Sequence, residues 1–401
     1  MKGLLTRLRH LCPIKGFQVK RPVVLFHSDD WGLVGVRDRE GWEELQAAGL
    51  DLGRNPYDFY SLETARDVEE LCAVLGRHRD SIGRPPCFSF NFVVANVDFA
   101  RVVESDFARL KFMPLDEGWP GRWRRPGLLE AYAAGIQKGL IYPAFHGLTH
   151  FSREAVAGRI QARNESGSFL RILFSADTPL LHGKIHHPTY EYWLESEGQG
   201  KEWLEGEAQR KCVEEGIRLF GRIFGEKALS ACAPGYRANG DTHQAWAENG
   251  VRVAQQGPGY KLAPHFDESG LFFLYRNIPF EPALDPVKYG EAFALERAEE
   301  NQRGGRPLVV CTHAVNFHST LKNYRDLTLE RLDRFLEGLE SRYPDLLYLQ
   351  DADLLHIVRT GGYSYGGNRV AVEGRWKWQM SPAAASRLRV NEPEDERGPR
   401  P

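Results

Sequence analysis

The sequence of 401 residues lacks a large net charge and any long apolar run, and each absence excludes a class of partner. Its formal net charge of -2 gives no overall field that would attract nucleic acid or an anionic membrane surface. No stretch approaches the roughly 20 apolar residues that a membrane-spanning helix requires. We therefore expect neither nucleic acid nor a membrane span.

A cysteine framework and a secretory signal are also lacking. The six cysteines form no CxxC pair and several lie in apolar runs, so we expect reduced, buried thiols. The opening residues, MKGLLTRLRHLCPIKGF, contain too many basic residues for a secretory signal. A cytoplasmic location is the expectation that follows.

What the chain has is core material, with 42% hydrophobic residues, arranged in the alternating rhythm of βα units. Helical patterns separate the apolar runs, and polar residues follow several of the predicted strands, which favours a barrel of parallel strands over an open sheet. Strands are predicted at 23–26, 87–94, 141–145, 229–233, 251–255, 271–275, 308–312 and 346–349, and helices at 65–78, 126–138, 200–224 and 327–342.

Residues 20–358 are predicted to form one catalytic domain, preceded by an N-terminal extension at 1–19. Residues 152–203 have the composition of an insertion, a lid or substrate wall, and contain His182, His186 and His187. The composition from 359 to 401 shifts to Gly, Arg, Pro and acids, and we expect a loosely packed tail with a disordered end.

The stretch RPVVLFHSDDWG ends a buried strand in two adjacent carboxylates, Asp29 and Asp30. Two acids at the end of a buried strand reduce stability, and the carboxyl end of such a strand is where α/β folds place their chemistry. The stretch HGLTH follows another strand and carries His146 and His150 at i and i+4, on one side of a helical turn. An aspartate with two histidines suits zinc or another divalent transition metal, although buried histidines are often only hydrogen-bonded.

Two further stretches carry polar residues at strand ends. In PLVVCTHAVNFH a buried strand delivers His313, a natural proton donor for a leaving group, unless it is a fourth metal ligand or a core histidine. In ACAPGYRANGDT the chain turns at Pro234 and Gly235 and exposes Tyr236 and Arg237.

The order SDDWG, HGLTH, APGYRANG and CTHAVNF resembles the first, second, third and fifth motifs of the polysaccharide deacetylases, metal-dependent carbohydrate esterases with NodB homology. The resemblance covers about residues 20–356. It looks closer still to a divergent bacterial branch with SDDWG in place of TFDDG and a closing segment YRNIPFEP. It implies a distorted (β/α) barrel of about seven parallel strands and removal of N-acetyl groups from a carbohydrate.

The resemblance also implies roles for individual residues. Asp30, His146 and His150 would bind the metal, with zinc expected first and cobalt, nickel or manganese as alternatives. Asp29 would be the general base and His313 the general acid that protonates the departing amine.

The sequence departs from the family in its third and fourth motifs. The family Arg that orients the catalytic Asp has no equivalent at Cys232 and Ala233, and Arg237 is expected to substitute for it. The fourth-motif Asp-Trp pair is missing, and Asn316 or Asp241 is expected to hold the other ring nitrogen of the acid histidine. Substrate contacts are predicted for four residues, with Cys311 at the place of the family's acetyl-pocket Leu: Trp31, Tyr236, Cys311 and Asn316.

Two alternatives stay open. In the first, the same metal site would hydrolyse another amide, an ester or a phosphate ester. The histidines and aromatic residues of the insertion are the reason for considering it. A catalytically silent descendant would instead bind carbohydrate through Trp31, Tyr190, Trp193 and Tyr236. The sequence selects neither a particular glycan nor an oligomeric state.

Overall fold

The computed structural model describes residues 12–179, 190–196, 200–257 and 261–389. The three insertion histidines, His182, His186 and His187, lie outside these residues, as do both ends of the chain. Within the described residues no helix is long and apolar enough to cross a membrane.

The elements alternate between short strands and helices, as predicted. The strands are β1 (Ile14–Val19), β2 (Val23–Trp31), β3 (Phe88–Phe92), β4 (Ala95–Val97), β5 (Phe112–Pro114), β6 (Ile141–Phe145), β7 (Trp193–Ser196), β8 (Gly200–Trp203), β9 (Ser230–Cys232), β10 (Val253–Gln256), β11 (His265–Phe266), β12 (Phe272–Tyr275), β13 (Ile278–Pro279), β14 (Leu308–His313), β15 (Leu347–Tyr348), β16 (Gly362–Tyr365), β17 (Asn368–Ala371) and β18 (Gly374–Gln379).

The α-helices span Arg39–Ala47, Ala65–Leu75, Phe99–Glu104, Leu128–Gln137, Arg153–Gln161, Glu165–Ser175, Gly206–Phe224, Gly240–Glu248, Glu291–Arg303, Arg325–Arg342, Asp351–Thr360 and Pro382–Arg389. Short 3₁₀ helices lie at Pro56–Phe59, Leu115–Glu117, Pro234–Tyr236 and Ala314–Phe317.

The central sheet is mostly parallel. Its order is β11-β12-β10-β9-β6-β3-β2-β14-β13, with β15 also beside β2, and the β11–β12 pair is antiparallel. Strands β2, β3 and β14 are buried along their whole length, which explains their continuous apolar sequences. The α/β class is therefore confirmed, whereas a closed barrel is not shown, because the strand pairing ends at β11 and β13.

Residues 272–279 join strands near the two opposite ends of the strand order in this sheet. The strand β12 pairs with β10, and β13, three residues further on, pairs with β14. Between them the backbone N–H of Arg276 donates to Gln256 and that of Asn277 donates to Val309. The side chain of Arg276 is consequently fully buried among the central strands.

The helix predicted from residue 200 begins later, at Gly206. Residues 200–203 instead form β8, which pairs antiparallel with β7, and the rings of Trp193 and Trp203 meet edge to face at 4.5 Å. This cross-strand aromatic contact stabilises a hairpin where the residue pattern alone favours a helix. Leu219 and Phe220 are buried, as the amphipathic pattern of the helix predicted.

The two ends of the described chain are joined. Strand β1 pairs antiparallel with β18, and β16 forms a hairpin with β17. Part of the tail that was predicted to be loosely packed therefore forms strands, and most of the side chains on these strands are exposed. Two aromatic side chains of β18, those of Trp376 and Trp378, are exposed at the surface.

Candidate active site

The two aspartates occupy an irregular end of β2. The register between β2 and β3 shifts between Ser28 and Trp31, and Asp30 has a left-handed backbone with φ of 73°. Such an irregularity re-aims side chains, and left-handed backbone outside glycine is typical of functional sites. Both aspartates are nevertheless buried, with Asp29 only 2% exposed.

Asp30, His146 and His150 come together as the resemblance implied. Oδ1 of Asp30 lies 3.2 Å from Nε2 of His146 and 3.2 Å from Nε2 of His150. Nδ1 of His146 donates to the carbonyl oxygen of Cys232 at 2.9 Å, which leaves Nε2 free to bind a metal. Two imidazoles and a carboxylate are a suitable donor set for zinc, and the three ligand atoms lie within 4.8 Å of one another. These residues therefore fit a divalent metal.

The HGLTH stretch reaches this geometry without the predicted helical turn. Residues 146–150 form a loop in which Gly147 has φ of 91° and His150 has φ of 68°. Nε2 of both histidines lies 3.2 Å from Asp30 in this conformation.

A second group of three donors, Asp29, His146 and Cys232, also meets the distance requirement for a metal. It is a poorer site, because both carboxylate oxygens of Asp29 already bind the guanidinium of Arg276. Burial also raises the pKa of the Cys232 thiol well above its usual range, so the thiolate that a metal needs is disfavoured. The Asp30 group is the better candidate.

Asp29 is held as an ionised carboxylate. Arg276 donates from Nη1 to Oδ2 at 2.5 Å and from Nη2 to Oδ1 at 2.7 Å, and Asn91 donates to Oδ1 at 2.6 Å. Burial acts to raise the pKa of Asp29, but Arg276 and the neighbouring histidines outweigh it and hold that pKa far below its usual range.

Arg276, and not Arg237, therefore occupies the position beside the proposed base. Arg237 is exposed, and its guanidinium lies over the rings of Tyr190 and Trp193 at 5.7 and 5.3 Å. The expected substitution by Arg237 is corrected because that side chain points toward the insertion. Arg276 belongs to YRNIPFEP, a segment that carried the family resemblance. Its role was not recognisable from the sequence, because it depends on contact with Asp29, which is 247 residues away.

Behind Asp29 lies a buried layer of amides and acids. Oε1 of Gln255 accepts from Asn91 and from Arg276, each at 2.8 Å, so the same two donors bridge Gln255 and Asp29. Nε2 of Gln255 donates to Asp351 at 2.9 Å, which fixes the orientation of the amide. The layer holds Arg276 and Asn91 in the positions that serve Asp29.

His313, at the end of β14, lies across from Asp29, with Nε2 3.8 Å from Oδ2. Its Nδ1 bonds to Oε1 of Glu281 at 2.6 Å, and the amide of Asn316 donates to the other oxygen of Glu281. Burial acts to lower the pKa of His313, but Glu281 outweighs it and holds that pKa well above its usual range. Glu281 is thus the ring partner of His313, in place of Asn316 or Asp241, and it too lies in YRNIPFEP.

The four residues predicted to contact substrate differ in their exposure. Trp31 is fully buried and stacks on Phe90 with ring centroids 3.5 Å apart, so it is a core residue. Asn316 and Cys311 also have no exposed surface. Tyr236 is partly exposed, and its hydroxyl accepts from Arg276 at 2.9 Å. Tyr236 is the one of the four that retains a surface for substrate.

Comparisons with known proteins do not assign a family. No family model and no curated protein matches the chain. A Mycobacterium smegmatis structure named as a polysaccharide deacetylase is 14% identical, with 87% of this chain and 95% of that one aligned at a TM-score of 0.43. A 4-alpha-glucanotransferase from Thermococcus litoralis is 11% identical over 84% of this chain and 40% of its own, at 0.45. A peptidoglycan deacetylase from Bacillus subtilis is 9% identical over 84% and 92%, at 0.34. These likenesses are too distant to carry chemistry.

Proposed function

We propose that the protein is a metal-dependent hydrolase that removes N-acetyl groups from a carbohydrate. The observation that supports it is the convergence of Asp30, His146 and His150 beside a second, separately held pair, Asp29 and His313. A metal site with an ionised carboxylate and a protonated imidazole next to it contains the groups that amide hydrolysis needs. The carbohydrate substrate is inferred from the order of the four motifs.

The three ligands have distinct tasks in this proposal. Asp30 contributes the negative charge, and the two histidines contribute neutral nitrogens that favour zinc over magnesium or calcium. A bound divalent metal supplies Lewis acidity, which polarises an acyl oxygen and makes water a nucleophile near neutral pH. The carbonyl of Cys232 keeps His146 in the tautomer whose Nε2 faces the ligand position.

Asp29 is the general base, and takes one proton from the attacking water. Its interaction with Arg276 keeps it ionised at neutral pH, and Asn91 donates a hydrogen bond that orients its carboxylate. His313 is the general acid, and gives its Nε2 proton to the nitrogen that leaves. Glu281 keeps His313 protonated until that step, so the two groups have opposite protonation states at neutral pH. Water adds across the amide, and the products are acetate and a free amine.

Hydrolysis of another amide or ester is the second candidate, because nothing in the metal site distinguishes acetyl from other acyl groups. The silent carbohydrate binder is less favoured. Trp31 lies in the core, and a guanidinium lies over each of the other three rings, that of Arg237 over Tyr190 and Trp193 and that of Arg276 over Tyr236.

The test is acetate release from N-acetylated sugars by the zinc-loaded chain and by Asp29→Asn. We expect wild-type turnover and a loss of at least about 100-fold in the variant. Ammonia and phosphate release are measured in parallel. Acetate release that is unchanged by Asp29→Asn would contradict the assigned base, and release of ammonia or phosphate alone would move the proposal to another bond.

A further inference from the structure

The insertion supplies a short segment that lies directly on the metal-binding loop. We call residues 190–193 the strap. Its central residues, Glu191 and Tyr192, are 1% and 0% exposed, so the strap is buried although it belongs to an insertion. On one side it contacts the HGLTH loop, and on the other it contacts the turn at residues 234–237.

Glu191 bonds to the backbone between the two histidine ligands. Both of its carboxylate oxygens lie 2.9 Å from the backbone nitrogen of Leu148, and the N–H of Thr149 also bonds to it. The thiol of Cys212 donates to Oε1 at 2.8 Å. A side chain at Gly147 would clash with Glu191, because a Cβ there would lie 1.9 Å from Oε2. Glycine at this position lets the carboxylate approach the loop.

The other side of the strap packs closely against the turn at residues 234–237. A Cβ on Gly235 would lie 1.8 Å from the ring of Tyr190, so glycine is needed there as well. The guanidinium of Arg237 lies over the rings of Tyr190 and Trp193. The next residue back, Tyr236, accepts a hydrogen bond from Arg276. The strap thus contacts the metal-binding loop on one side and, on the other, the turn that carries Tyr236.

We propose that Glu191 is a positioning residue for the metal ligands, and that the insertion acts through it on the candidate site. The loop it binds has a left-handed backbone at Gly147 and His150, and no helix or strand of its own supports that conformation. Backbone N–H groups in a buried loop need acceptors, and Glu191 provides them. Burial of a carboxylate costs stability even where it accepts hydrogen bonds, which is expected of a group retained for a task and not for stability.

This inference rests on the proposed metal site and not on the proposed reaction. The expected result is an affinity for zinc about 10–100-fold lower in Glu191→Gln than in wild type, since outer groups that orient ligands have effects of that size. The glutamine keeps the volume and loses one acceptor oxygen. Glu202→Gln is the matched control, because Glu202 lies exposed on β8 of the same insertion, and its zinc affinity should equal that of wild type.

The measurement is competition of the purified full chain with a chromophoric zinc chelator, with circular dichroism of the metal-free proteins to verify folding. If Glu191→Gln does not fold, Glu191→Asp takes its place, because the shorter acid keeps the charge but cannot reach Leu148. Zinc affinity equal to wild type in the folded variant would overturn the inference.

The outcomes also separate this inference from the proposed function. Weaker zinc binding by the Glu191 variant, together with no acetate release by wild type, would support the positioning role and overturn the reaction. Acetate release by wild type with unchanged zinc binding in the variant would do the reverse. No zinc binding by wild type would overturn both.

Discussion

The two terminal nitrogens of Arg276 lie 2.5 and 2.7 Å from the two carboxylate oxygens of Asp29. A guanidinium matches a carboxylate in this paired geometry, whereas a lysine ammonium provides only a point charge. The arginine that holds Asp29 therefore comes from the segment after β12 and not from the stretch 231–242.

Arg276→Lys should lower kcat/KM by about 100-fold. A lysine cannot bind both carboxylate oxygens, so Asp29 would be misplaced, and a misplacement of about 1 Å has an effect of that size. Removing the charge altogether in Arg276→Met should also lower the free energy of unfolding by about 3–5 kcal/mol, since Asp29 would be left as an unpaired buried charge. Steady-state kinetics and urea unfolding measure the two effects. Arg237→Lys is the control, and a comparable loss there would return the role to Arg237.

Glu281→Gln should shift the alkaline limb of the pH–activity profile to lower pH. The general acid must carry a proton, and Glu281 raises the pKa of His313, so activity persists to higher pH in wild type. Without the carboxylate that pKa falls and activity is lost earlier as pH rises. Asp241→Asn should leave the profile unchanged. A shift in Asp241→Asn and none in Glu281→Gln would show that the ring partner has been misassigned.

Zinc should stabilise the folded chain, and the stabilisation should depend on His150. Zinc at 100 times its dissociation constant adds about 2.7 kcal/mol to the free energy of unfolding, because it binds the folded state. In His150→Ala the increase should be largely lost, and a chelator should remove it from wild type. Thermal unfolding with and without zinc measures it. An equal increase in the variant would place the metal elsewhere.

The metal-free chain should lose stability relative to Glu191→Gln as pH rises. Burial raises the pKa of Glu191 from its usual 4.5 to about 7. The folded chain thus binds a proton that the unfolded chain has released, and this contribution, about 3 kcal/mol, is present below pH 4.5 and lost as pH rises to 7. Urea unfolding of both proteins at pH 5 and pH 8 tests it. A difference between the two proteins that does not change with pH would exclude a raised pKa at Glu191.

Trp31 and Tyr236 should separate stability from function. Trp31→Ala should lower the free energy of unfolding by about 3–5 kcal/mol, because it empties a core position stacked on Phe90. Tyr236→Phe removes only the hydroxyl beside Arg276, so we expect a change in kcat/KM with stability nearly intact. Chemical unfolding and kinetics of both variants provide the comparison. A stable Trp31→Ala with altered kinetics would restore Trp31 to the substrate side.

Local patterns in the sequence determined most of the strands, the α/β class and a candidate metal site of one aspartate and two histidines, and the family resemblance selected Asp30 over Asp29. These are readable because a strand buried on both faces needs a continuous apolar run, and because Asp30, His146 and His150 each follow such a run. The hairpin at 193–203 and the paired chain ends were not predicted, since they depend on partners remote in sequence.

The tertiary structure alone decided what surrounds the proposed base and acid and the loop between the two histidines. Asp29 is 247 residues from Arg276, His313 is 32 residues from Glu281, and Leu148 is 43 residues from Glu191. No spacing rule relates such residues, because their contact arises from the order of strands in the sheet and the path of the insertion. The residues to which we assign the chemistry lie in or after strands and can be identified from the sequence, whereas the residues that hold them in place are recognised only when the chain is folded.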